Sequence, residues 1–246
     1  MNKSVRTSLL TVALYFAGAM AMAGPLTVVA PSANQSANGN TLLSMFDSDS
    51  GQTVQWAYAA SQFSAIPVGT EITSIGFRLQ GGGATITLPL IYMEFDIEVS
   101  TPAFAISSLS STFASNQGAD EVTVLSGPLT IPGGSFVGGP GPNPFYDITF
   151  TTPFVYPGGD LLFTIVHSSP VISISPLVDA NTLASLPAGL TNTVFVNSAT
   201  ETTGTVGFFN SPVTQLDFVA SVPEPATLAL LGIGLAGFGY ARKRKP

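Results

Sequence analysis

Between Gly24 and Ser221 the chain alternates apolar and polar residues in short bursts, and Gly, Pro, Asn and Ser separate the bursts. The clearest is "IYMEFDIEV", where Ile91, Met93, Phe95, Ile97 and Val99 alternate with Tyr92, Glu94, Asp96 and Glu98. Successive strand side chains point to opposite faces, so this period of two predicts one strand with an apolar face and an acidic, wet face. Strands wet on one side are usually antiparallel. Aromatic and β-branched bursts predict further strands over 53–59, 72–79, 121–127, 145–150, 160–167, 171–175, 193–197, 205–209 and 214–220. About ten strands in roughly 200 residues predict an all-β fold, a two-sheet antiparallel β-sandwich of jelly-roll-like form. One stretch departs from the period: in "ISSLSSTFASNQG", Ile106, Leu109 and Phe113 have helical spacing and predict a short helix ending near Gly118. Gly and Pro make 133–144 an irregular loop, and 31–40 reads as a flexible lead-in or a first edge strand.

The two ends break this pattern with continuous apolar runs. Lys3 and Arg6 precede a run from about Leu9 to Met20, and Ala21-Met22-Ala23 has the small-x-small form of a signal peptidase site. Cleavage is expected between Ala23 and Gly24. The second run, 226–240, follows Pro223-Glu224-Pro225 and stops at Arg242, Lys243, Arg244 and Lys245. As a helix it reaches about 23 Å at ~1.5 Å per residue, so it is a short transmembrane sorting helix whose basic tail stays cytoplasmic. The two prolines keep the preceding segment extended, where a processing enzyme can reach it. The expected organisation is a signal peptide (1–23), an extracellular β-sandwich (24–221) and a C-terminal sorting segment (222–246), so that a signal helix and a transmembrane sorting helix flank the body.

Charge sharpens the division. Of seven basic residues only Arg78 falls between the terminal runs, against thirteen Asp and Glu, a net charge near −12. Such a body repels phosphate backbones, so no nucleic-acid partner is expected. Without cysteine there is no disulfide, thiol nucleophile or thiolate metal site.

The triplet Pro223-Glu224-Pro225, the Gly-rich apolar span and the basic run 242–245 together resemble the PEP-CTERM sorting signal of Gram-negative bacteria. The resemblance implies recognition by an exosortase, after export through signal peptidase and the general secretion machinery. It implies an inner-membrane-anchored precursor that the C-terminal helix holds transiently, then delivery to the cell surface or extracellular matrix. It also implies a producer of exopolysaccharide, biofilm or floc, so exopolysaccharide is an expected partner. Within the body, "ITSIGFRL", "FDIEVST" and "PFVYPGGDLLFTI" resemble a recurring passenger domain of such proteins, for which no active site is implied.

Candidate chemistry in the body is sparse. The single histidine, His167, ends a strand and reads as a packing residue, and no G-x-S-x-G turn is present. Glu94, Asp96 and Glu98 lie along one strand face about 7 Å apart, a spacing that permits a glycosidase pair but that any solvated acidic face shares. "FDSDSG" sets Asp47 and Asp49 in a tight turn, a fragment of a calcium loop, with Asp120 and Glu121 a second acidic spot. No cofactor is expected other than calcium there. Trp56 and Tyr58 share a strand face, which suits sugar stacking or a core. The function expected is non-enzymatic: a structural component of a polysaccharide matrix, with a carbohydrate-binding module or a glycan-acting hydrolase as alternatives.

Overall fold

A computed structural model describes residues 26–46, 50–172, 174, 176–207 and 210–219. They fold into a mostly β body whose strands, in chain order, are β1 (Leu26–Ala30), β2 (Thr41–Leu43), β3 (Gln52–Tyr58), β4 (Glu71–Phe77), β5 (Leu90–Tyr92), β6 (Phe95–Ser100), β7 (Val122–Leu125) and β8 (Leu129–Ile131). β9 (Tyr146–Val155), β10 (Leu161–His167), β11 (Val178–Asn181), β12 (Thr191–Val196), β13 (Thr205–Val206), β14 (Ser211–Pro212) and β15 (Thr214–Val219) follow. All pairing between them is antiparallel. A four-stranded sheet has the order β1-β15-β4-β9 and a six-stranded sheet the order β13-β12-β3-β10-β6-β7. Two small sheets, β14-β11-β2 and β5-β8, complete the set.

Alternation puts one face of each large sheet into a common core. Val54, Trp56 and Tyr58 of β3 and Phe163 and Ile165 of β10 meet Ile75 and Phe77 of β4 and Leu216 and Phe218 of β15. Trp56 is the hinge of this packing: its ring stacks on Phe163 at 5.5 Å and meets Phe77 edge-on at 6.0 Å. The first and last described strands are neighbours, with Leu26 opposite Phe218. The signal helix and transmembrane helix expected over 1–23 and 222–246 lie outside the described residues. Among the described residues no helix is long and apolar enough to cross a membrane.

Four expectations need correction. The single strand over 91–99 is two strands in two sheets, since β5 pairs with β8 and β6 with β10 and β7. Between them Met93 is 66% exposed, while Tyr92, expected to face water, is buried with its hydroxyl donating to the Phe46 carbonyl. That long-range bond flips the alternation at the point where the chain changes sheets. The strand expected over 171–175 is absent from its described residues: Val171 and Ile172 are exposed, and the strand nearby is β11. The helix expected over 106–118 is two fragments, a 3-10 turn over Ile106–Ser108 and one turn of α-helix, α1 (Phe113–Asn116). The helical spacing still marks a buried face, because Ile106, Leu109 and Phe113 pack together on Ala57, Leu162 and Val194 of the six-stranded sheet. The loop 133–144 is irregular as expected, but it plugs the core with Phe136, 1% exposed. The segment 31–40 is no strand; a 3-10 turn occupies Ser32–Asn34, and the edge strand is β1 before it.

Candidate functional site

β3 carries two different faces, and both are covered. Its inner face buries Trp56 and Tyr58 completely, with the Tyr58 hydroxyl donating to the Pro212 carbonyl. Desolvation pushes the Tyr58 hydroxyl pKa up. Neither ring offers a face to a sugar, so sugar stacking at Trp56 and Tyr58 is overturned by their burial between the sheets. The outer face of β3 presents Gln55, which lies beside Thr164 of β10 and donates to its Oγ1 at 3.0 Å. Asn116 of α1 donates to Gln55 Oε1 at 2.7 Å, and Gln55 donates to the Phe113 carbonyl at 3.3 Å. These bonds clamp the 106–117 segment over the sheet.

Beside this clamp opens a cavity of about 350 Å³, lined among others by Thr53, Glu98, Gln117, Glu121, Thr164 and Glu201. Glu98 is next to Thr164 across the β6–β10 ladder and accepts a bond from Gln117 Nε2. Half-buried, its carboxyl is raised above the usual range by desolvation, then by the nearby Glu121 charge, with the Gln117 bond opposing. The wet face expected on 91–99 is therefore uneven: Glu94 is exposed, Asp96 and Glu98 are half-buried, and Glu98 faces a cavity. Asp120, the neighbour of Glu121, is used structurally and accepts from the Thr101 backbone N–H at 3.0 Å and hydroxyl at 2.8 Å.

A group protonated more readily in the folded state favours folding at low pH, and that contribution is lost as pH rises from the ordinary glutamate value through the raised folded one. Glu98→Gln keeps an acceptor for Gln117 and removes the charge. It is expected to raise stability at pH 7 by up to about 1 kcal/mol, screened by solvent, and to leave it unchanged near pH 3. Thermal melts of both proteins at the two pH values check this.

A second cavity, about 440 Å³, is lined by Arg78, Asn143, Phe145, Gln215, Gln35 and Thr27, with neighbours. Its anchor is a buried ion pair between Arg78 Nη2 and Asp179 Oδ2 at 2.8 Å. Arg78 Nε also donates to Asp179 at 2.9 Å, and Nη2 donates to the carbonyls of Asn34 at 2.9 Å and Ala37 at 2.6 Å. Asp179 Oδ1 accepts from the Gly39 N–H at 2.8 Å. Burial pushes the Asp179 carboxyl upward, and Arg78 and the backbone donors pull it back.

The remaining candidates fall elsewhere. His167 is buried, its ring stacked 5.6 Å from Phe95, with Nδ1 at the Ser168 carbonyl and Nε2 at the Met45 carbonyl. Among the described residues no group of three or more His, Asp or Glu is arranged to hold a metal ion. Asp47 and Asp49, the suggested calcium ligands, lie outside the described residues, as do Ala23, Gly24, Pro223, Glu224, Pro225 and the basic residues 242–245. Both cavities draw on residues far apart in the chain, and no local motif announced either.

No curated protein and no solved structure matches this chain. Residues 221–245 match the family model of the PEP-CTERM protein-sorting motif. That motif identifies a secreted chain targeted to an exosortase, exported and processed from a membrane-anchored precursor. The chain therefore carries near its C-terminus the PEP-CTERM sorting motif that Pro223, Glu224, Pro225 and the basic run announce.

Proposed function

We propose that this protein is a non-enzymatic matrix component: a β-sandwich of jelly-roll-like form, released from its membrane precursor by an exosortase and held in an exopolysaccharide or biofilm matrix at or beyond the cell surface. The sorting motif over 221–245 carries this reading. The chain is cut from its signal peptide after Ala23, stalls with Arg242–Lys245 inside, and presents Pro223, Glu224 and Pro225 outside as an extended substrate. The division into 1–23, 24–221 and 222–246 follows from those steps. The structural role of the body is supported by its construction, with two aromatic-rich faces packed together and a net negative charge that resists self-association. The non-enzymatic character is supported by His167, whose ring lies in the core with both nitrogens at backbone carbonyls. Calcium at Asp47 and Asp49 would bridge such anionic bodies.

Changing Pro223, Glu224 and Pro225 together to alanine tests the sorting step. The expected result is a membrane-bound precursor and at least a tenfold drop in surface protein, while the wild-type surface form lacks Arg242–Pro246 by mass spectrometry. Surface protein that retains the basic tail, or a triple variant that is delivered normally, overturns the proposal.

A further inference from the structure

The 440 Å³ cavity lies on the outer face of the four-stranded sheet. Gln215 of β15 and its cross-strand partner Val29 of β1 line it, and both alternate with core-facing neighbours, Leu216 and Val28. Gly76 of β4 sits on the other side of Gln215, where a Cβ would collide with Asp147 Oδ1. The missing side chain lets Asp147 reach across Gly76, where its Oδ1 accepts from Gln215 Nε2 at 3.0 Å and holds the Gln215 side chain at the cavity wall. Gln35 from the turn after β1, and Asn143 and Phe145 from the loop before β9, complete the lining.

The chemistry of this lining is selective. Arg78 is 1% exposed, and its Nε and Nη2 are committed to Asp179, Asn34 and Ala37, while Nη1 takes part in none of those bonds. Its charge is matched by Asp179 and its guanidinium backs the Phe145 ring, so it adds little net positive charge to the cavity. The surrounding body, near −12, repels polyanions. Phe145 is half-buried, with the guanidinium 4.8 Å from its ring centroid. Gln35 is exposed, and Asn143 is fixed by donating to the Leu79 and Gln80 carbonyls at 3.0 Å, which leaves its Oδ1 as an acceptor. An aromatic ring among amide donors and acceptors suits a neutral ring that is apolar on its C–H face and hydroxylated at its rim. The volume falls within the roughly 300–1,000 Å³ of small-molecule sites.

We propose that this cavity is a glycan subsite for a neutral hexose residue of a polysaccharide, with the sugar's C–H face on the face of Phe145 opposite Arg78 and its hydroxyls on Gln35, Asn143 and Gln215. It rests on the matrix reading for the source of its ligand and on the cavity alone for its specificity.

The full chain in detergent is applied to arrays of neutral gluco-, galacto- and manno-hexasaccharides, with oligogalacturonate as the anionic contrast. The expected result is retention on a neutral glycan and not on oligogalacturonate. Phe145→Ala is expected to weaken it at least about tenfold, as is Gln35→Trp, which fills the cavity from an exposed position and carries the test if Phe145→Ala fails to fold. Retention on no neutral glycan, retention on oligogalacturonate alone, or retention unchanged by both variants overturns the subsite. Mass spectrometry of the same protein from cells reads tail removal separately, so a processed protein that ignores glycans sinks the subsite and spares the sorting reading.

Discussion

Arg78→Ala is expected to destabilise the β body by about 3–5 kcal/mol, read as a lower urea midpoint at unchanged slope. The change strands Asp179, fully buried and left with backbone donors alone. It also releases the carbonyls of Asn34 and Ala37, which fix the segment after β1. The cost comes mainly from the carboxylate left without its partner, since a buried ion pair contributes little net stability over an apolar pair of equal volume. The double change Arg78→Met with Asp179→Leu is therefore expected to recover most of the loss. If the double variant is as unstable as Arg78→Ala, the ion pair itself is the stabilising element and this account of it is wrong.

Trp56→Ala is expected to cost a similar amount, about 3–5 kcal/mol, because it opens a cavity between the two large sheets. Trp56 contacts Phe77 of one sheet and Phe163 of its own, so the loss falls on the joint between layers. Trp56→Phe keeps a ring in that joint and should lose less than half as much. Equilibrium unfolding of the three proteins orders them. A Trp56→Ala protein as stable as wild type would mean that the sheets do not close on this ring.

The sorting motif was readable because its parts are consecutive: a triplet, an apolar span and a basic run need no tertiary partner to be recognised. The longer central strands were readable for the same local reason, and β3, β4, β10, β12 and β15 fall within a residue or two of their bursts, whereas the short β1, β2, β8 and β14 lie outside the predicted bursts. What alternation could not say is what covers each face. β3 is buried on both sides, because the 106–117 segment is clamped on the outside through Asn116 and Gln55. The pattern at 91–99 is regular, yet the chain leaves one sheet for another at Met93, where the Tyr92 bond to Phe46 decides and no nearby residue reveals it. β11, with an Asp and an Asn among its four residues, has no strand signature; it is buried because Arg78 waits for Asp179 from 101 residues away. The Arg78 cavity is invisible for the same reason, with Gln35, Arg78, Phe145 and Gln215 meeting only after the sheet has formed.

The neighbouring positions of β1 and β15 have a mechanical consequence. Leu26 begins one strand and Val219 ends the other, and their antiparallel ladder brings both to the same end of the sheet. A tether pulling on one terminus against the other would therefore strain the ladder one rung at a time, as a zip opens, and would not load all its rungs in shear. The seam between the first and last strands is where such a tethered body would begin to give way.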